Sequence, residues 1–137
     1  MIAKYLWIAG SLPCIILGTI HLLYTFFTNK FSSRNKSLNE EMKISFPILT
    51  KEISMWNAWI GFNGSHSSGI IYIGLMNLFV AVWYPFFLQN PVFLSFNIIT
   101  ALFYLWLAKK YWFRIPLTGT AITAGCFIAA AVVIIFN

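Results

Sequence analysis

The chain has 137 residues, 60% of them hydrophobic and 9% charged, with a mean hydropathy of +0.79 and a formal net charge of +6. Soluble domains carry roughly a quarter charged residues, so this composition excludes an ordinary soluble fold, and the length leaves room for one bundle and no separate soluble domain. The chain has no Asp, and its three Glu lie between residues 40 and 52, which argues against a proton-coupled carrier built on an intramembrane carboxylate.

Four stretches contain no Asp, Glu, Lys or Arg: Tyr5–Asn29, Ile53–Tyr84, Pro91–Ala108 and Ile115–Phe136. About 20 helical residues cross a hydrocarbon core ~30 Å thick. Only helices or closed barrels satisfy their backbone at that depth, and these runs are too long for barrel strands. The expected fold class is therefore all-α: a polytopic membrane protein, one domain over residues 1–137. Its transmembrane helices are expected near 3–29, 51–84, 91–112 and 115–136, in an antiparallel bundle.

The first run is longer than the apolar region of a signal peptide, and its basic flank follows it, which reads as an uncleaved anchor. Pro13 is expected to kink this helix rather than end it. Cys14 and Cys126 lie inside predicted helices without metal-ligand spacing and read as packing residues. Residues 30–50 form the one long polar segment. There Ser37-Leu38-Asn39-Glu40 has the spacing of a capping box, predicting a short surface helix over Leu38–Ile44 that Pro47 ends. Thr50 is the expected N-cap of the second span, with Glu52 in its first turn. The link Pro85–Pro91 predicts a tight turn between the second and third spans.

Basic residues set orientation in membrane proteins. Lys30, Arg34, Lys36, Lys43 and Lys51 fall between the first two runs, and Lys109, Lys110 and Arg114 between the last two; Lys4 alone lies elsewhere. The asymmetry predicts both termini outside, with the basic loops inside against anionic lipid headgroups, and it assigns the positive charge to topology rather than to nucleic acid. Tyr5, Trp7, Trp83 and Tyr84 are expected in the outer interfacial belt, and Trp56, Trp59, Trp106, Tyr111 and Trp112 in the inner one.

The chemistry-bearing groups concentrate in the second span. Asn57, Gly61, Ser65 and Gly69 recur every fourth residue and predict a helix-packing seam of small residues. Trp59 and His66 share another face. The only other histidine, His21, lies in the first span on a narrow face with Cys14, Gly18, Thr25 and Thr28. Counting from the aromatic belts at 1.5 Å per residue puts both imidazoles ~6 Å to the inner side of the midplane. Three readings stay open for this pair. The imidazoles hydrogen-bond neighbouring helices and hold the fold together, or they line a pocket for a lipid, quinone or similar amphiphile with Tyr24, Thr25, Trp59 and Asn63, or they ligate a b-type haem. No zinc-protease helix motif and no phosphate-binding loop is present.

The block Met55-Trp56-Asn57-Ala58-Trp59-Ile60-Gly61-Phe62-Asn63-Gly64-Ser65-His66-Ser67-Ser68-Gly69 resembles the signature of a family of small four-helix bacterial integral membrane proteins. Gly18-Thr19-Ile20-His21-Leu22 and Lys110-Tyr111-Trp112-Phe113-Arg114-Ile115-Pro116 resemble further pieces of it. The resemblance covers nearly the whole chain. It implies the four-helix fold and a place for His21 and His66 in the pattern, and it supplies no substrate, cofactor or metal. The expected function is non-enzymatic, that of an accessory or interaction subunit of a larger complex in a bacterial cytoplasmic membrane, contacting lipids and other membrane-protein subunits. The alternative is the binding protein centred on His21 and His66.

Overall fold

A computed structural model describes residues 2–136. It is 84% helical, with no strand among the described residues. Five helices follow one another: α1 (Ile2–Phe27), α2 (Lys36–Ile44), α3 (Met55–Trp83), α4 (Pro91–Tyr111) and α5 (Arg114–Phe136). All but α2 are long and apolar enough to cross a membrane, which marks a multi-pass membrane protein.

Local chemistry sets the helix ends. Asn35 caps α2 by accepting from Ser37 N at 3.0 Å, so this helix begins two residues before the one predicted from the Ser37–Glu40 spacing. Ser54 Oγ accepts from Asn57 N at 3.3 Å and opens α3 at Met55. The expected cap Thr50 instead closes a turn upstream, accepting from Glu52 N at 3.1 Å. Pro13 lies within a continuous α1. After α3, Pro85–Gln89 forms a short 3₁₀ turn, and Asn90 Oδ1 accepts from Val92 N and Phe93 N to start α4, with Pro91 at its first position.

The chain divides into two compact units, Thr19–Gly69 and the remainder, Met1–Gly18 with Ile70–Asn137. The larger unit holds the buried apolar core. Trp7 is 0% exposed and stacks on Phe127, ring centroids 4.2 Å apart and 10° from parallel. The indole is packed inside protein rather than facing lipid. Ala81, Ala101, Ala124, Ala130 and Ala131 join the same core, their small side chains letting helices approach closely, as membrane helix packing requires. At Gly74 a Cβ would come within 3.0 Å of the Ile15 backbone nitrogen, so α1 and α3 meet there nearly backbone to backbone.

Polar groups in this unit are tied together. Trp7 Nε1–H donates to Asn77 Oδ1 at 2.8 Å, and Asn77 Nδ2 donates to Asn97 Oδ1 at 2.8 Å and to Ile73 O at 2.9 Å. Asn97 Nδ2 in turn donates to Phe93 O at 2.9 Å. The network joins α1, α3 and α4.

Candidate functional site

The smaller unit contains the second half of α1, α2 and the first half of α3. Its polar cluster is assembled from two helical faces. On α1, His21 and Thr25 stand four residues apart and so share a face. Buried Thr25 turns its hydroxyl back to His21 O at 2.8 Å. On α3, Trp59, Asn63 and Ser67 repeat at the same interval, and buried Ser67 donates to Asn63 O at 2.7 Å.

Asn63 joins the two faces. Its Nδ2 donates to Trp59 O at 2.8 Å and its Oδ1 lies 3.1 Å from His21 Nε2. A carbonyl accepts and an amide NH₂ donates, so the bond to Trp59 orients the amide with Oδ1 towards His21. That oxygen can only accept, which places a proton on His21 Nε2. Nδ1 of the neutral ring is then the unprotonated nitrogen.

Aromatic rings surround the histidines. His21 meets His66 edge to face, with centroids 5.6 Å apart and planes 70° apart. Phe31 lies 4.5 Å from His21, and Phe62 stacks on His66 at 6.1 Å and 6°. Trp59 Nε1–H donates to Phe31 O at 3.1 Å, holding the chain that leaves α1 against α3. Both imidazoles are half-buried.

The structure thus brings together His21, His66, Asn63, Trp59 and Thr25. Tyr24 is exposed, its carbonyl accepting from Thr28 Oγ1. The sequence reading passed over Phe31 and Phe62. Phe31 carried no signal, because it stands in the polar segment after α1; Phe62 lies four residues before His66 and was findable by helical spacing.

The predicted seam has a different setting. Asn57, Gly61 and Ser65 are exposed, and a Cβ at Gly61 or Gly69 would meet nothing within 4 Å. The close approach in this unit is at Gly64, where a Cβ would lie 2.8 Å from Phe26 Cζ.

The nearby serines are committed to the helix backbone: Ser65 to Phe62 O, Ser67 to Asn63 O and Gly64 O, and Ser68 to Gly64 O. Among the described residues no group of three or more His, Cys, Asp and Glu could hold a metal ion. What the cluster presents is a pair of imidazoles, one of fixed tautomer, framed by aromatic faces. No family model, curated protein or solved structure matches this chain.

Proposed function

We propose that the protein is a non-enzymatic subunit of a larger membrane assembly. It lies in a bacterial cytoplasmic membrane as an antiparallel four-helix bundle with both termini outside and the basic segments inside. The outward stripe of α3 carries this reading. Gly61 and Gly69 face open space on a helix apolar enough to span the membrane, with exposed Ser65 midway between them. Small residues let a second helix come close, a property that lipid tails do not use.

The contrast within the chain supports it. Five of the eight glycines are closely met by a side chain of another helix, and only Gly61, Gly69 and Gly125 have nothing within 4 Å. Two of those three lie on this one stripe. A partner helix of matching small residues would cover it. The distribution of Lys and Arg supports the orientation, the approach of Gly74 to Ile15 fits the antiparallel arrangement, and the resemblance of the α3 block supports the bacterial setting.

The test is purification of the tagged protein from native membranes in mild detergent, comparing wild type with a Gly61→Leu/Gly69→Leu double variant. Wild type is expected to co-migrate with stoichiometric partner subunits, and the variant to run alone with unchanged helix content. Wild type migrating alone would overturn the subunit reading.

One observation favours a second reading. The half-buried His21 and His66 rings sit beside aromatic faces, a setting suited to the polar head of a quinone or lipid. His66→Ala should then release a bound amphiphile from a folded protein. Ligation of a b-type haem through Nε2 of His21 fits less well, because that nitrogen would first have to release Asn63.

A further inference from the structure

Among the described residues, the two most exposed large hydrophobic side chains lie outside the long apolar helices. Ile48 and Leu49 are 108% and 94% exposed, with Ile44 at 70% and Phe46 at 54% beside them. Lipid tails account for apolar exposure along α1, α3, α4 and α5; they do not account for it in a segment between α2 and α3. The position of this segment is defined. Met55 N, the first residue of α3, donates to Ser45 O at 2.9 Å, so both ends of residues 45–55 are pinned at the mouth of a membrane-spanning helix. Inside that closure Thr50 N donates to Pro47 O, making 47–50 a compact turn with Ile48 and Leu49 at its tip and Phe46 just before it.

Charge flanks the tip. Lys43 directly precedes Ile44, and Lys51 stands two residues beyond Leu49; both are exposed. Lys43 is paired with Glu40 at 2.9 Å, leaving Lys51 as the nearest cation without a carboxylate within salt-bridge distance among the described residues. Apolar side chains set between basic ones at a membrane edge are the pattern of an interfacial anchor, the former entering the headgroup–acyl boundary and the latter meeting anionic headgroups.

We infer that the turn 47–50, with Ile48 and Leu49 at its tip and Phe46 beside it, inserts into the anionic leaflet in which α3 begins, with Lys51 on a lipid phosphate. The inference rests on the membrane-spanning reading of α3 and not on the subunit assignment. The turn fixes where α3 enters the bilayer and makes the placement of its first turns sensitive to lipid charge.

The test uses the full chain with Cys14 and Cys126 replaced by alanine, a Leu49→Cys substitution and an environment-sensitive fluorophore on the new thiol. The protein is reconstituted into phosphatidylcholine and into an equal mixture of phosphatidylcholine and phosphatidylglycerol. In the anionic mixture the probe is expected to shift to the blue, to be quenched by nitroxide lipid and to resist aqueous iodide. Lys51→Gln should reduce the ratio of inserted to withdrawn turn about fivefold, the equivalent of ~1 kcal/mol per basic residue. Iodide quenching in the anionic mixture, or insertion indifferent to both lipid charge and Lys51, would overturn the inference. A probe at Leu75, exposed in the second half of α3, tests the other premise: if nitroxide lipid fails to quench it, the spanning reading fails instead.

Discussion

The protein holds two polar clusters that use the same side-chain chemistry in opposite ways. In the larger unit Asn77 accepts from Trp7 and donates to both Asn97 and Ile73, so its amide is fully engaged, and all three side chains are buried. In the smaller unit Asn63 does a similar job between Trp59 O and His21, but the imidazoles it helps to place are half-buried. A closed network in a low-dielectric interior rigidifies and specifies packing. An open one retains groups that can meet something else. Both hubs are buried asparagines; the difference is that Asn77 joins buried side chains, whereas Asn63 holds a half-buried ring.

The sharpest way to break that comparison is to remove each hub. Asn77→Leu orphans Trp7 Nε1–H and Asn97 Oδ1 in a buried site. Each buried unsatisfied group costs about 1–3 kcal/mol, although hydrogen bonds between membrane helices are often worth less, averaging roughly 0.6 kcal/mol. We expect a loss of ~2–4 kcal/mol in a reversible unfolding titration in mixed detergent. Asn63→Leu should cost under ~1 kcal/mol, because the donor it orphans sits on a half-buried ring. Equal losses would mean that the two clusters do not differ in kind.

Why the first cluster was not legible in the sequence follows from its members. The four long helices could be read because charge-free runs of this length have one solution in a bilayer. Asn77 and Asn97 stand alone in their runs, without a repeat or a partner motif, and a lone asparagine says only that some acceptor and donor must be near. The burial of Trp7 was not legible because belt position depends on how far along a span a residue lies, whereas burial depends on which way it points. For the histidine pair, depth counting allowed the two rings to lie level but left open whether they meet; the structure brings them to 5.6 Å between centroids. The α3 seam illustrates the limit of periodicity: Gly61 and Gly64 are both small, both helical and three residues apart, and only packing distinguishes the open one from the one filled by Phe26.

A milder variant sharpens the comparison further. Trp7→Phe keeps an aromatic ring to stack on Phe127 but removes the donor to Asn77. One buried acceptor is left short, so the expected loss is ~1–2 kcal/mol, less than for Asn77→Leu. The Trp7→Phe/Asn77→Leu double variant should cost less than the sum of the two, because both changes delete the same bond. Additive losses would show that the 2.8 Å contact contributes little beyond packing.

The smallest effect on stability has the most direct bearing on the site. The amide of Asn63, oriented by its bond to Trp59 O, requires the proton of neutral His21 on Nε2. Nitrogen-15 NMR of the labelled imidazole should therefore find one tautomer in the wild type, protonated at Nε2, with Nδ1 bare. Asn63→Leu removes the acceptor and should release the ring into a mixture of tautomers while the helix content stays the same. Mixed tautomers in the wild type would mean that Asn63 does not hold the ring. The edge-to-face pair would then be simple packing, and the distinction between a closed and an open cluster would lose its chemical content. A single tautomer that becomes mixed on Asn63→Leu would leave Nδ1 as the nitrogen of His21 able to accept a hydrogen bond from a bound polar group.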